Sequence, residues 1–210
     1  MLRTTCPNIS VITNFGCRAN CWYCIWKGHK LEKVSELTNW DKLYDFLNLY
    51  KNKQKVSVSG GGDCLYKYDT YKEWWDKFFN ITNKLNIAVD VHTREKFVND
   101  DFWAKINRCV FSSDKLEKDI DYLRYLARLT KIRITHLVTA DTTLDMIEEY
   151  LAFQRGIGCQ FTIKELIGYS DSGMYKQIRE SYPGIYNLDA GDYNIYYMPD
   201  NTITESFLLE

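Results

Sequence analysis

The sequence predicts an α/β fold of mainly parallel strands, and three observations point there. Short β-branched or apolar runs alternate with longer amphipathic ones in a β-α order that repeats six times. Helical runs separate successive strands, so consecutive strands run the same way and are joined by right-handed crossovers. No internal repeat, low-complexity tract or Pro-rich linker interrupts the 210 residues, which hold only three prolines, so one domain with at most a small extension is expected. Such units close into either an open doubly wound sheet or an incomplete barrel.

The elements follow in chain order. The strands are NISVIT (8–13), KVSVS (55–59), IAVDV (87–91), RCVF (108–111), KIRITHLV (131–138) and CQFTI (159–163). Each is a short run of β-branched or apolar residues. The first helix opens on a Thr38 or Asn39 cap and repeats Trp40, Leu43, Phe46, Leu47 and Tyr50 at helical spacing. The second carries Trp74, Trp75, Phe78 and Phe79, and a short third lies in NDDFWAKI. The fourth carries Leu116, Ile120, Leu123 and Leu126, and the fifth carries Leu144, Ile147 and Leu151 and ends at Gly156. The aromatic stripes read as packing faces. Beyond the sixth strand, SDSGMYKQIRESY holds one more helix, and DYNIYYMPDNTITESF reads as a hairpin turning at Met198-Pro199-Asp200-Asn201. The boundaries expected are a core over 1–168 and a C-terminal helix and hairpin extension over 169–210 packed on it.

Bulk composition excludes some partners. The formal net charge is -1, which removes a global basic field for nucleic acid or anionic membrane. No apolar run approaches the roughly 20 residues of a membrane helix, and the N-terminus lacks the apolar core of a secretory signal, so a cytoplasmic protein without membrane contact is expected. Seven cysteines form no disulfide framework. In a reducing compartment, clustered thiols point to metal or redox chemistry.

Three of them are clustered. Cys17, Cys21 and Cys24 form C-x3-C-x2-C in the loop after the first strand. In parallel α/β folds, functional residues gather past the C-terminal ends of strands. Here those positions carry the cysteine loop, Gly60-Gly61-Gly62-Asp63-Cys64, His92-Thr93-Arg94-Glu95, Ser112-Ser113-Asp114, Thr139-Ala140-Asp141 and Lys164-Glu165-Leu166. Cysteines and triple glycine on adjacent loops form a more specific signal than either motif alone. A closed structural zinc site takes four ligands, whereas three thiols leave one metal position open. The lone cysteines Cys6, Cys64, Cys109 and Cys159 read mostly as core, with Cys64, which follows the glycine loop, open to facing the site. His92, Arg94 and His136 are each open to a structural or a functional reading, and Lys164 and Glu165 are weaker candidates.

C-x3-C-x2-C after the first strand, with Tyr23 before the last cysteine and SGGGD after the second strand, resembles the radical S-adenosylmethionine superfamily. The resemblance runs from about Ile9 to Ile163. The family's glycine motif usually ends Gly-Gly-Glu, where this chain has Gly-Gly-Asp or Gly-Gly-Gly followed by Asp. The resemblance implies a partial (β/α)6 barrel with a short C-terminal hairpin extension, and an enzyme with a [4Fe-4S] cluster and S-adenosyl-L-methionine as cofactors. Cys17, Cys21 and Cys24 would be the metal ligands. Tyr23, Gly60, Gly61, Gly62, Asp63, His92, Ser112, Ser113, Val138 and Thr139 would bind the cofactor. The activity implied is reductive cleavage of S-adenosylmethionine and hydrogen abstraction from an unidentified substrate, a small molecule or a protein side chain. A one-electron donor such as flavodoxin or ferredoxin would be its partner. The signatures of the family's glycyl-radical activases and deazaguanine enzymes are absent, so no subfamily follows. Two other readings stand beside this one. The triplet with His29 could form a Cys3His zinc site in a binding module, or the cluster could serve an electron carrier without S-adenosylmethionine chemistry.

Overall fold

The computed structural model describes residues 8–19, 21–24, 38–165, 173–185 and 194–205. Eight strands form one sheet in the order β6-β5-β4-β3-β2-β1-β7-β8. They are β1 (Asn8–Ile12), β2 (Lys55–Ser59), β3 (Ala88–Thr93), β4 (Arg108–Ser112), β5 (Lys131–Leu137), β6 (Gln160–Lys164), β7 (Asn194–Tyr197) and β8 (Ile203–Thr204). The described helices are α1 (Trp40–Leu49), α2 (Lys72–Lys84), α3 (Asp100–Trp103), α4 (Leu116–Ala127), α5 (Leu144–Ile157) and α6 (Met174–Ser181). None is long and apolar enough to cross a membrane.

The strand order decides between the two arrangements open to a six-fold β-α repeat. From β1 to β6 every strand pairs in parallel with the next in sequence, and the order never reverses. A doubly wound sheet reverses at a switch point and puts helices on both faces. Winding in one direction with one crossover hand puts the helices on one face only, as in a barrel that has not closed.

Strand alternation agrees with that layout. Val56 and Val58, Val89 and Val91, Cys109 and Phe111, Ile132 and Ile134, and Phe161 and Ile163 are buried at every second position. They form the core with Leu43, Phe46 and Leu47 of α1, Trp74, Trp75, Phe78 and Phe79 of α2, and Leu123 and Leu126 of α4. The aromatic stripe of α2 packs as expected: Trp74 stacks on Phe78 at 5.0 Å, and Trp75 meets Phe102 edge-on at 5.1 Å. The intervening positions are mostly polar, with Val110 of β4 an apolar exception: Ser57 and Ser59, Asp90 and His92, Arg108 and Ser112, Arg133 and Thr135, Thr162 and Lys164. Parallel strands covered by helices on both faces read as continuous apolar runs; a polar second face belongs to a sheet whose inner side lines a working interior.

The helix caps are local. Asn39 accepts from Lys42 N at 3.0 Å, Asn99 from Phe102 N at 2.9 Å and Thr143 from Met146 N at 3.3 Å. The last helix of the repeat runs past Gly156 and ends on Gly158, whose φ of 68° is the left-handed conformation that terminates helices. The C-terminal hairpin forms, with β7 and β8 antiparallel about the Met198–Asn201 turn. It extends the same sheet, because β7 pairs in parallel with β1 over Asn8–Val11.

Candidate functional site

The cysteine loop leaves the C-terminal end of β1 in the middle of the sheet. Thr13 N donates to Ser59 O at 3.2 Å, carrying the β1–β2 pairing one step beyond the strands. The two chains then stay together: Gly16 and Gly62 form a parallel bridge, and Asp63 N donates to Gly16 O at 2.8 Å. Cysteine and glycine loops are therefore seamed side by side.

The glycines are required by this seam. A Cβ on Gly61 would lie 1.7 Å from the Thr13 carbonyl oxygen, and one on Gly62 would lie 2.3 Å from that of Gly16. Gly60, Gly61 and Gly62 all have positive φ, at 72°, 60° and 109°, which only glycine adopts without strain. The backbone they let approach is that of the neighbouring cysteine loop.

Asp63 is buried and fully engaged. One carboxylate oxygen accepts from Leu65 N at 3.0 Å and Thr93 Oγ1 at 2.6 Å. The other accepts from Arg94 N at 2.7 Å and Glu95 N at 3.3 Å. The acid thus ties the glycine loop to the turn that follows β3, and its oxygens serve that turn.

Cys17, Cys21 and Cys24 are free thiols on one loop, Cys17 exposed and the other two half-buried. Cys24 N bonds Cys21 O at 3.3 Å, which closes a turn between them. The Cys17 pKa is raised: desolvation leads, the backbone at Ala19 opposes it, and the charges of Asp63, Cys21 and Cys24 add. Among the described residues no three His, Cys, Asp or Glu side chains are gathered to hold an ion as they stand. The donor chemistry nevertheless fits an iron–sulfur group, with three free, partly accessible thiols on one loop. His29 and Cys6 lie outside the described residues.

Two residues given no ligand role from sequence complete the cluster of side chains. Arg94, first after β3, sends Nη1 to Cys21 Sγ at 2.8 Å and to Tyr23 Oη at 3.3 Å, and pairs through Nη2 with the Asp114 carboxylate beyond β4. Tyr23 Oη in turn donates to Asp114 Oδ1 at 3.3 Å. Burial on its own would lower the Arg94 pKa, but Asp114, Cys21 and Tyr23 raise it above the ordinary value. Tyr23 is pushed up to about 12 by burial and by the charges of Asp114 and Cys21, so it stays a neutral phenol. The usable signal was position, since both residues sit just past strand ends.

The remaining candidates divide. Ser112 ends β4, exposed on the polar face. Ser113 is turned into the core: its hydroxyl donates to Asp119 at 2.6 Å and lies 2.8 Å from Tyr150 Oη. His136 belongs to the same buried network, with Nδ1 on Ser113 O at 3.0 Å and Nε2 at 3.1 Å from Thr142 Oγ1. Val138 is buried with its N–H on Lys164 O, and Thr139 N bonds Thr142 Oγ1 in the following turn. The His92 pKa is pushed down to about 3, by burial first and then by Lys164, Arg108 and Arg133, so the imidazole is neutral. Cys64 does not face the site; it is buried and its thiol donates to His92 O at 3.3 Å. Cys109 is core, and Cys159 is partly buried with its thiol pushed up to about 11 by desolvation.

A one-directional β-α sheet with the cysteine loop seamed to the glycine loop at its C-terminal edge can now be compared with solved structures. SuiB from Streptococcus suis bound to the precursor peptide SuiA superposes with a TM-score of 0.70 at 13% identity, over 95% of this chain and 59% of that one. SuiB bound to S-adenosylmethionine gives 0.67 at 13% identity, over 96% and 60%. The chain has the radical S-adenosylmethionine enzyme fold, a partial barrel. A third structure, anSMEcpe with bound AdoMet and the Cp18Cys peptide, gives 0.65 at 12% identity, over 96% of this chain and 74% of that one. The chain spans about three fifths of the length of SuiB. No protein-family model and no curated protein matches the sequence.

Proposed function

We propose that this chain is a radical S-adenosylmethionine enzyme. The observation that carries the reading is the seam between the C-x3-C-x2-C loop and the glycine loop, at the C-terminal edge of a sheet with that fold. Cys17, Cys21 and Cys24 are the residues that would hold an iron–sulfur cluster, leaving one position for S-adenosylmethionine. Held there, such a cluster would supply one-electron reductive chemistry for cleaving S-adenosylmethionine, with the electron coming from an external donor. The chain's own residues shape and hold the site. Gly61 and Gly62 let the two loops lie against each other. Asp63 fixes the turn after β3. Ser112 and the neutral His92 present polar groups on the inner face, and Tyr23 closes one side of the cysteine loop against Asp114.

The substrate class within this reading is a small molecule or a protein side chain. The peptides bound to SuiB and anSMEcpe favour the side chain. An external one-electron donor is required. The deciding experiment is anaerobic reconstitution with iron and sulfide, addition of S-adenosylmethionine and dithionite, and assay of 5′-deoxyadenosine. Product that disappears in Cys21→Ala is expected. A chain that takes up no iron–sulfur cluster overturns the reading, as does a loaded chain that neither binds nor cleaves S-adenosylmethionine.

A further inference from the structure

Arg94 is placed from both of its ends. Its backbone N–H is fixed by the buried Asp63 carboxylate at 2.7 Å, and its side chain is fixed by the Asp114 carboxylate. Between these anchors the other guanidinium nitrogen lies 2.8 Å from Cys21 Sγ. Tyr23 Oη fills the gap, accepting from Arg94 at 3.3 Å and donating to Asp114 at 3.3 Å. The arrangement joins four loops: those of the cysteines and the glycines, and the turns after β3 and β4. A mere surface ion pair between Arg94 and Asp114 needs neither the thiol nor the phenol. Arginine is the one side chain that carries a permanent charge and can use two nitrogens in different directions at once.

We propose that Arg94 is a positioning residue for Cys21, holding this sulfur with a fixed positive charge that raises the reduction potential of the iron–sulfur group the three cysteines would ligate. The inference rests on the functional reading above. Reduction adds one electron, supplied by dithionite or by an iron–sulfur or flavin donor protein, and breaks no bond. The extra negative charge is stabilised by a cation and by an N–H donor on a ligand sulfur. Hydrogen bonds to cluster sulfurs and the surrounding charge are among the determinants of such potentials, and groups around a metal site tune it through its ligands. The Asp114 carboxylate partly offsets the charge while fixing its direction, so the directed N–H is retained where a mobile cation would turn away.

The test is the midpoint potential of the reconstituted protein, read by anaerobic titration followed by electron paramagnetic resonance, with iron content and thermal unfolding measured alongside. Arg94→Gln is expected to keep its iron and its fold and to shift the reduction equilibrium at least tenfold toward the oxidised form, about 59 mV for one electron. Arg94→Lys keeps a positive charge but loses the planar fork that serves Cys21 and Asp114 together, and is expected to shift the equilibrium about threefold the same way. A loaded Arg94→Gln protein whose equilibrium moves less than twofold overturns the proposal and leaves the functional reading standing. If Arg94→Gln takes up no iron, Arg94→Lys decides by the same readout: an unchanged midpoint overturns the proposal and a negative shift supports it. A wild-type chain that takes up no cluster overturns the proposal together with the reading it rests on.

Discussion

Replacing Asp63 by Asn separates a structural carboxylate from a ligand-binding one. The four donors on Asp63 are divided two per oxygen, and the residue is 3% exposed. An amide can keep only one oxygen. If that oxygen stays with Leu65 N and Thr93 Oγ1, the new NH2 group faces the N–H groups of Arg94 and Glu95, donor against donor. A hydrogen bond to a charged group contributes about 1.5–3 kcal/mol, and a buried donor left unsatisfied costs the upper part of that range. The Arg94 bond at 2.7 Å counts in full and the Glu95 bond at 3.3 Å counts less. The expected loss is therefore about 3–5 kcal/mol, or about 10 °C in Tm for a chain of this size. The assay is urea unfolding of the reduced, cluster-free protein, followed by the fluorescence of its buried tryptophans, Trp74, Trp75 and Trp103. A loss below about 1 kcal/mol refutes the assignment of this carboxylate to the turn after β3.

The other predictions rest on equally local observations. Gly61→Ala should cost far more stability than Gly158→Ala, because a Cβ at Gly61 meets a carbonyl at 1.7 Å while one at Gly158 meets nothing within 4 Å. The latter change should cost only the left-handed strain of about 1–2 kcal/mol, and equal losses in parallel denaturation curves would contradict the seam. Ser113→Ala should destabilise the chain by about 1 kcal/mol, because Asp119 Oδ2 loses its hydroxyl donor while Asp119 Oδ1 keeps Lys96 and Tyr150 Oη keeps the Ser113 carbonyl, whereas the exposed Ser112→Ala should stay within about 0.5 kcal/mol. The pH dependence follows from His92. Its folded pKa is depressed to about 3 against an ordinary 6.5, so below about pH 6.5 the unfolded chain binds the extra proton. Stability conferred by the neutral imidazole is complete above that pH and falls with acidification, at up to about 1.4 kcal/mol per pH unit. His136 is depressed by burial in the same direction. His92→Gln should flatten the stability profile between pH 4 and 6.5, and an unchanged slope would contradict a neutral His92 in the fold.

The sequence by itself determined what depends on near neighbours in the chain. The strand at KVSVS and the aromatic stripe of α2 follow from short β-branched runs and the helical 3.6-residue period and appear where these put them, and of the two cap candidates Thr38 and Asn39 it is Asn39 that caps α1. The three cysteines were legible for the same reason, since their spacing is short. The tertiary structure decided everything that requires two distant segments to meet. Whether the six units wind in one direction or two depends on strand order, which no local pattern encodes, and the unreversed order settles it. The seam that the triple glycine permits was not legible, because the atoms it avoids belong to Thr13 and Gly16, more than forty residues earlier. Ser112 and Ser113 are adjacent in sequence, yet strand pleat and the turn after β4 send one to the inner face and the other into the core. Arg94 and Asp114 lie 20 residues apart and meet because β3 and β4 are neighbours, while Cys21, on the loop after β1, meets Arg94 across 73 residues. A charge pair and a thiol carry no mutual signature along the chain; only the parallel sheet, which brings successive loops to one edge, makes them a single site.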